Sequence, residues 1–160
     1  TSFFNQYTKA KFFIEKLYFA SKINYKIIRL SNVYDDNFNK NGILKIMLNC
    51  IKLNKILYVK DLNTIRNFIY HVDAINLIIK VILNFDKINE KIINISHENF
   101  SLRKVSIYIK KKFLNNKLNI KVSYDKKWKE RSVKVNNYLV KKLFNYNFKN
   151  NKKNTIINIK

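Results

Sequence analysis

Residues 7–34 read YTKAKFFIEKLYFASKINYKIIRLSNVY, and this stretch decides the fold that the sequence predicts. Apolar residues recur at helical spacing from Phe3 to Ala20, with lysines and a glutamate between them, which predicts an amphipathic helix. Tyr25 to Leu30 is an apolar run of strand length, and the Asn- and Asp-rich residues 31–42 predict a loop after it. The end of a strand, where it passes into a loop, is where α/β proteins place their ligands.

The rest of the chain continues the alternation of helices and strands. Further helices are predicted at 42–53, 73–84, 102–113 and about 137–144, and further strands at 56–60, 67–70, 91–96, 118–124 and 155–159. Asp73, Ser101 and either Asn136 or Asn137 are candidates to cap the helices that follow them. Such alternation predicts an α/β fold with a largely parallel sheet.

Length and composition restrict the class of protein. The 160 residues fit one domain, and a hydrophobic content of 47% predicts a globular chain. The formal charge is +23, but only four of the 33 basic residues are arginines, whereas nucleic-acid patches favour the planar arginine fork. A solvated lysine surface is therefore favoured. A basic module that binds RNA or an anionic membrane is the alternative, and it predicts binding with a steep salt dependence.

The cysteines, histidines and apolar runs exclude several kinds of protein. One cysteine, Cys50 in an apolar run, excludes an internal disulfide framework and suits a reducing compartment, so a cytoplasmic protein is expected. No run reaches the roughly 18 apolar residues of a membrane span, and no signal peptide is recognised. His71 and His97 have no cysteine cluster near them, so no metal site is expected, and His71 is interpreted as a structural polar cap.

Tyr7 and Lys11 form the first candidate catalytic pair. Residues four apart lie on one face of a helix, and an ammonium beside a tyrosine favours the phenolate, which can exchange a proton with a substrate hydroxyl. Spacing alone is weak evidence, because the sequence contains four such pairs: Tyr7/Lys11, Tyr18/Lys22, Tyr108/Lys112 and Tyr138/Lys142.

Context singles out the first pair. Only Tyr7 and Lys11 are followed by Glu15 and Leu17 on the same helix, and then by an apolar strand that closes with Arg29, Asn32 and Tyr34. The combination YTKAKFFIEKL…IIRLSNVY resembles the Tyr-x-x-x-Lys helix and Arg-x-x-Asn-x-Tyr strand end of the extended short-chain dehydrogenases/reductases, the NAD-dependent epimerase/dehydratase family. Three later segments are similar to later motifs of that family in the same order: RNFIYHVDAINLI, IINISHENFSL and VNNYLVKKLFNY.

The resemblance implies a fold and a division into domains. It implies the carboxyl-terminal part of a Rossmann-like doubly wound sheet plus a small α/β substrate-binding domain. Residues 1–32 would end the dinucleotide-binding domain, and residues 33–160 would be mainly substrate-binding, with 66–84 and 91–113 packing back on the Rossmann sheet. The chain opens at Thr1 without a Gly-x-x-Gly-x-x-Gly loop, so a fragment that lacks its amino-terminal half, and is inactive alone, is expected.

The resemblance also implies an activity. The full-length protein would be an NAD- or NADP-dependent nucleotide-sugar epimerase, dehydratase or reductase, of the kind used in lipopolysaccharide or other cell-surface polysaccharide biosynthesis. Its partners would be a nucleotide-diphosphate sugar and, through the Tyr7 helix, a second copy of itself, with no nucleic acid. A degenerate remnant without activity is the other interpretation.

Five residues inherit roles through the resemblance. Tyr7 would be the acid/base, and Lys11 would bind the nicotinamide ribose and lower the tyrosine pKa. Asn32 and Arg66 would hold the nucleotide diphosphate, and Arg131 would make a second phosphate contact. From the residues themselves, Arg66 could instead pair with Asp61 or Asp73 at the surface, and Asn32 could be a loop-turn residue.

The sequence departs from the family at several positions. Asn67 stands where the family has aspartate, Asp35 replaces the glycine after the tyrosine, and Ser96 and Asn145 replace residues of later motifs. Each lost glycine removes an inexpensive positive-φ position, so these loops are expected to differ or to be strained.

Overall fold

Helices and strands alternate along the part of the chain that the computed structural model describes, which is residues 6–35, 42–112, 119–122 and 132–148. The helices are α1 (Gln6–Ala20), α2 (Ile43–Lys52), α3 (His71–Leu83), α4 (Leu102–Lys112) and α5 (Tyr138–Phe144), with a 3-10 turn at Phe85–Lys87. The strands are β1 (Ile27–Leu30), β2 (Asn32–Tyr34), β3 (Leu57–Val59), β4 (Ile65–Tyr70), β5 (Ile92–Ile95), β6 (Glu98–Ser101) and β7 (Ile120–Val122).

Most of the strand pairing is parallel. β1 pairs with β5, β3 with β7 and β2 with β4 in parallel register, so that Asn32 lies opposite Phe68. β6 pairs antiparallel with β4, and β2, β4 and β6 form a three-stranded sheet with β4 in the centre. The predicted α/β class with a largely parallel arrangement is confirmed.

Strand β4 separates two hydrophobic cores. Its side chains alternate in direction, as in any strand, so Phe68 and Tyr70 join one core while Ile69 joins the other. The first core gathers side chains from α2 and α4, and the second gathers side chains from α3, β5 and α5. β4, the central strand of the β2–β4–β6 sheet, is therefore packed on both faces.

Helix α1 lies outside both cores. None of its side chains is buried, and Phe12 and Phe13 are 58% and 62% exposed. Tyr18 and Phe19 near its carboxyl end contact the ring of Tyr25, with centroid separations of 5.6 and 6.0 Å. The helix thus presents an apolar face that the described residues do not cover.

The capping predictions had different outcomes. Ser101 Oγ accepts the backbone N–H of Lys104 at 3.2 Å, which confirms the cap of α4. The prediction that Asp73 caps α3 is wrong, because the helix begins two residues earlier, at His71, and its N-cap is Tyr70. Asp73 is instead fully buried in the first helical turn, where its carboxylate accepts a hydrogen bond from the hydroxyl of Tyr146.

The caps of α5 and the loop after it depend on asparagines. Asn137 is the N-cap residue of α5 but makes no side-chain capping bond, while Asn136 Oδ1 accepts the N–H of Tyr138 at 2.8 Å. Asn145, which replaces a family residue, ends the helix in the left-handed region at φ 43°. Asparagine tolerates this conformation better than most residues other than glycine.

Two strands were not predicted, and one predicted strand lies outside the described residues. β2 lies in the segment 31–42, which the sequence indicated as a loop, and β6 lies between the predicted strand 91–96 and the predicted helix 102–113, where no element was predicted. The strand expected at 155–159 falls outside the described residues, as do the first residues of the predicted amino-terminal helix.

Candidate functional site

Tyr7 and Lys11 lie together on the exposed surface of α1. Tyr7 is 70% exposed, and Lys11 Nζ lies 5.6 Å from the centroid of the Tyr7 ring. This is cation–π geometry, in which the ammonium faces the ring. The pair is therefore accessible to a ligand.

The next position on the same stripe of α1 is Glu15, four residues after Lys11. Arg29 of β1 holds this carboxylate with two bonds: Nε donates to Oε1 at 2.9 Å and Nη2 donates to Oε2. The bond to Arg29 holds the pKa of Glu15 below its ordinary value, and the same bond raises the pKa of Arg29. This bidentate pair joins the helix of Tyr7 to the strand that leads to Asn32.

Asn32 and Arg66 lie on the neighbouring strands β2 and β4. Asn32 is a strand residue rather than a loop-turn residue, and its Nδ2 donates to the carbonyl oxygen of Asn67 at 2.9 Å. Arg66 precedes Asn67 in β4 and is partly buried. Of the two carboxylates considered as partners of Arg66, that of Asp73 is buried, and Asp61 Oδ1 accepts the N–H of Asn63 at 2.8 Å.

The segment 132–137 is bound to the same sheet. Ser132 Oγ accepts the N–H of Ile65 at 3.0 Å, directly before Arg66 in the chain. Arg131, the third candidate for phosphate binding, lies outside the described residues. The chain that follows it is nevertheless anchored beside β4.

Two asparagines hold this segment. Asn99 of β6 accepts the N–H of Val135 at 3.0 Å and donates to its carbonyl at 3.1 Å, as a neighbouring strand would. Asn67 Nδ2 donates to Asn99 Oδ1 and to the carbonyl of Val133, both at 2.6 Å. An aspartate, which the family has at position 67, could donate neither bond, because a carboxylate is only an acceptor.

Asn67→Asp is expected to destabilise the protein by about 1–2 kcal/mol, because it removes two hydrogen bonds and leaves a carboxylate facing two acceptors. Urea denaturation measures the loss, and hydrogen exchange of the Val135 amide reports release of the segment. Asn99→Asp is the matched control, since it keeps the acceptor for Val135 and Asn67 and should change stability less. A greater loss in the control would contradict this account.

A second polar cluster surrounds Asp73. Burial, followed by the hydrogen bond to Asp73, raises the pKa of Tyr146 to about 12, so its hydroxyl remains the donor at neutral pH. His97 stacks on Phe148 with a centroid separation of 4.2 Å, and burial lowers the pKa of its imidazole. Sequence analysis missed this cluster, because its members lie far apart in the chain and only the histidine carries a recognisable chemical signal.

The candidate residues form two groups. Tyr7 and Lys11 are one, and Asn32 with Arg66 is the other. Arg29 connects them, since it lies three residues before Asn32 and is bonded to the helix of Tyr7. Neither the Asn67–Asn99 network nor the two bonds from Arg29 to Glu15 was predicted from sequence.

Neither a metal-binding cluster nor a membrane-spanning helix is found among the described residues. Within the described residues, no group of three or more His, Cys, Asp or Glu side chains could hold a metal ion. No helix in the same part of the chain combines the length and the apolar character needed to cross a bilayer.

Solved structures of similar fold include a dehydratase and an epimerase that are named for nucleotide sugars, and an enzyme bound to NAD and UDP. The Bordetella bronchiseptica enzyme WbmG, in complex with NAD and UDP, matches with a TM-score of 0.71 and 19% identity over 98% of this chain and 49% of that protein. The dTDP-glucose 4,6-dehydratase of Bacillus anthracis, in complex with NAD, matches with a TM-score of 0.70 and 19% identity over 94% of this chain and 48% of that protein. The UDP-N-acetylglucosamine 4-epimerase of Bacillus cereus matches with a TM-score of 0.65 and 19% identity over 90% of this chain and 51% of that protein.

These matches are a likeness of fold, and the chain spans about half the length of each protein. No curated protein sequence matches the chain. The model of the NAD dependent epimerase/dehydratase family matches residues 3–96, which include Tyr7, Lys11, Asn32 and Arg66. Since that match covers more than half of the sequence, the chain belongs to the NAD dependent epimerase/dehydratase family.

Proposed function

We propose that the full-length protein is an NAD- or NADP-dependent nucleotide-sugar epimerase, dehydratase or reductase, and that this chain is its carboxyl-terminal half. The observation that carries the proposal is the family match over residues 3–96, which includes the exposed Tyr7–Lys11 pair. The chain spans about half the length of the similar dehydratase and epimerase, so a dinucleotide-binding half would complete the site.

In the proposed reaction, Tyr7 exchanges a proton with a sugar hydroxyl while the carbon that carries the hydroxyl loses or regains a hydride. The Lys11 ammonium stabilises the phenolate that forms when the proton leaves Tyr7. The side chains of Tyr7 and Lys11 are both exposed on the surface of α1, so a sugar can reach the phenol hydroxyl.

The residues of this chain fit one end of the dinucleotide. NAD or NADP, when bound, supplies the acceptor and donor of the hydride. The exposed Lys11 ammonium can donate to the ribose hydroxyls beside the nicotinamide. The single glycine, Gly42, is the N-cap residue of α2, so a glycine-rich loop for the dinucleotide phosphates would come from residues outside this chain.

Asn32 and Arg66 are proposed to hold the diphosphate of the nucleotide sugar, with Arg131 as a further contact. A planar guanidinium can bind phosphate oxygens with two parallel hydrogen bonds. The anchored segment 132–137 would place the chain after Arg131 against the strand of Arg66. The formal charge of +23 also attracts an anionic substrate.

The exposed apolar face of α1 is proposed to be covered in the full-length protein, by the dinucleotide-binding half and by a second copy in a homodimer. Phe12, Phe13 and Leu17 on this face are all more than half exposed. A cluster of large apolar side chains left in water is typical of an interaction surface. The protein is expected to act in the cytoplasm.

Arg66→Lys tests the substrate assignment. In full-length protein supplied with NAD and UDP- or dTDP-sugars, the variant is expected to raise KM about tenfold, because lysine cannot form the two-bond fork. KM and kcat are measured by chromatographic separation of the nucleotide sugars, and UDP or dTDP binding by calorimetry.

Arg103→Lys is the matched control, since this arginine lies on the exposed side of α4 and should leave KM unchanged. Full-length protein that binds neither UDP nor dTDP would refute the proposed substrate class. An unchanged KM in Arg66→Lys would refute the assignment of Arg66 alone.

A further inference from the structure

Tyr7, Lys11 and Glu15 are spaced by four residues along α1, so each is a neighbour of the next on the helix surface. Lys11 has an opposite charge on one side and a tyrosine on the other. In the structure its ammonium faces the Tyr7 ring, at 5.6 Å from the centroid. The carboxylate of Glu15 is occupied by Arg29, through both of its oxygens.

The charged groups that face this stripe come from α1 and from β1 in the part of the chain that the structure describes. On α1 itself, Lys9 and Lys16 line a groove of about 560 Å³ together with Phe12 and Phe13. From the elements packed against α1, Arg29 is the charged side chain that reaches Glu15 within the described residues. A bidentate guanidinium satisfies a carboxylate better than a flexible ammonium does.

We propose that Arg29 is a positioning residue that occupies Glu15, so that Lys11 stays with Tyr7 instead of forming an ion pair along the helix. This inference rests on the function proposed for Tyr7 and Lys11. In this role, Arg29 prevents the Glu15 carboxylate from competing with Tyr7 for Lys11. The ion pair between Arg29 and Glu15 could also tether α1 to β1, which is a separate role.

The two roles make different predictions for two single variants. Arg29→Met and Glu15→Gln both break the same ion pair, so a tether alone predicts equal losses. Arg29→Met leaves Glu15 charged and free to draw Lys11 away, whereas Glu15→Gln removes the competing charge. Positioning therefore predicts a loss in Arg29→Met only, and recovery in the double variant Arg29→Met/Glu15→Gln.

The experiment uses the full-length protein and two readouts. The first is the nuclear Overhauser contact between the ε-methylene of Lys11 and the ring of Tyr7, assigned by its absence in Lys11→Ala. It should be lost in Arg29→Met and present in the other two variants. The second is the pH profile of kcat, in which Arg29→Met is expected to lower kcat about 1.4-fold to fivefold, the range to which the free energies of surface ion pairs correspond.

The outcomes distinguish this inference from the proposed function. A Lys11–Tyr7 contact that persists in Arg29→Met, or equal losses in both single variants, would overturn the positioning role of Arg29. Loss of the contact in Arg29→Met and its return in the double variant would support that role even if kcat did not change. In that case the catalytic assignment of Tyr7 and Lys11 would fail.

Discussion

Tyr7→Phe is expected to lower kcat of the full-length protein by about 10²–10⁴-fold, the contribution typical of a positioned acid/base. The variant removes one oxygen atom from an exposed side chain and leaves the ring that Lys11 faces, so the fold should not change. KM should change little, because the hydroxyl acts mainly in the transition state. Turnover of UDP- or dTDP-sugars measures the effect.

The chain offers a matched control on the same helix. Tyr18 and Lys22 have the same spacing as Tyr7 and Lys11, but the Tyr18 ring packs against Tyr25. Tyr18→Phe should keep kcat close to that of the unmodified protein. Similar kcat values for the two variants would exclude Tyr7 as the acid/base.

Phe68→Ala is expected to destabilise the protein by about 3–5 kcal/mol, since it empties a large space in a packed core. Phe68 is 1% exposed, and its ring contacts Tyr34 edge to face with a centroid separation of 6.5 Å. The same residue lies opposite Asn32 in the sheet, so binding of the proposed nucleotide diphosphate should weaken with the fold.

Urea denaturation measures the change in free energy of unfolding. Tyr58→Ala provides the comparison, because Tyr58 lies in strand β3 and is 65% exposed. Its loss should stay near the small values of surface substitutions. A Phe68→Ala variant as stable as Tyr58→Ala would show that β4 is not the centre of the packed sheet.

The parts of the fold predicted correctly are those with a strong local pattern. Strand β1 and helix α4 have apolar runs at regular spacing, and Ser101 lies where a cap is chemically favoured. β2 and β6 lack such a pattern, because each has only three or four residues and contains asparagine. Their hydrogen bonds come from β4, whose paired residues are 30 to 36 positions away in the sequence.

In the candidate site, too, local spacing could be predicted from sequence, whereas contacts between distant residues could not. Helical spacing alone predicts that Lys11 lies beside Tyr7. The bonds from Asn67 to Asn99 and Val133 join residues 32 and 66 positions apart, and no short motif reports such contacts. Asp73 was misassigned because a buried carboxylate and an N-cap look alike until its partner, Tyr146, is known.

Because β4 lies between two cores, insertions and deletions within this strand should not be tolerated. Phe68 and Ile69 are neighbours in sequence but belong to different cores. Deletion of one residue within β4 would turn every later side chain of the strand toward the opposite core. Insertions and deletions should therefore accumulate in the connections around this sheet, while the six residues of β4 keep a fixed length.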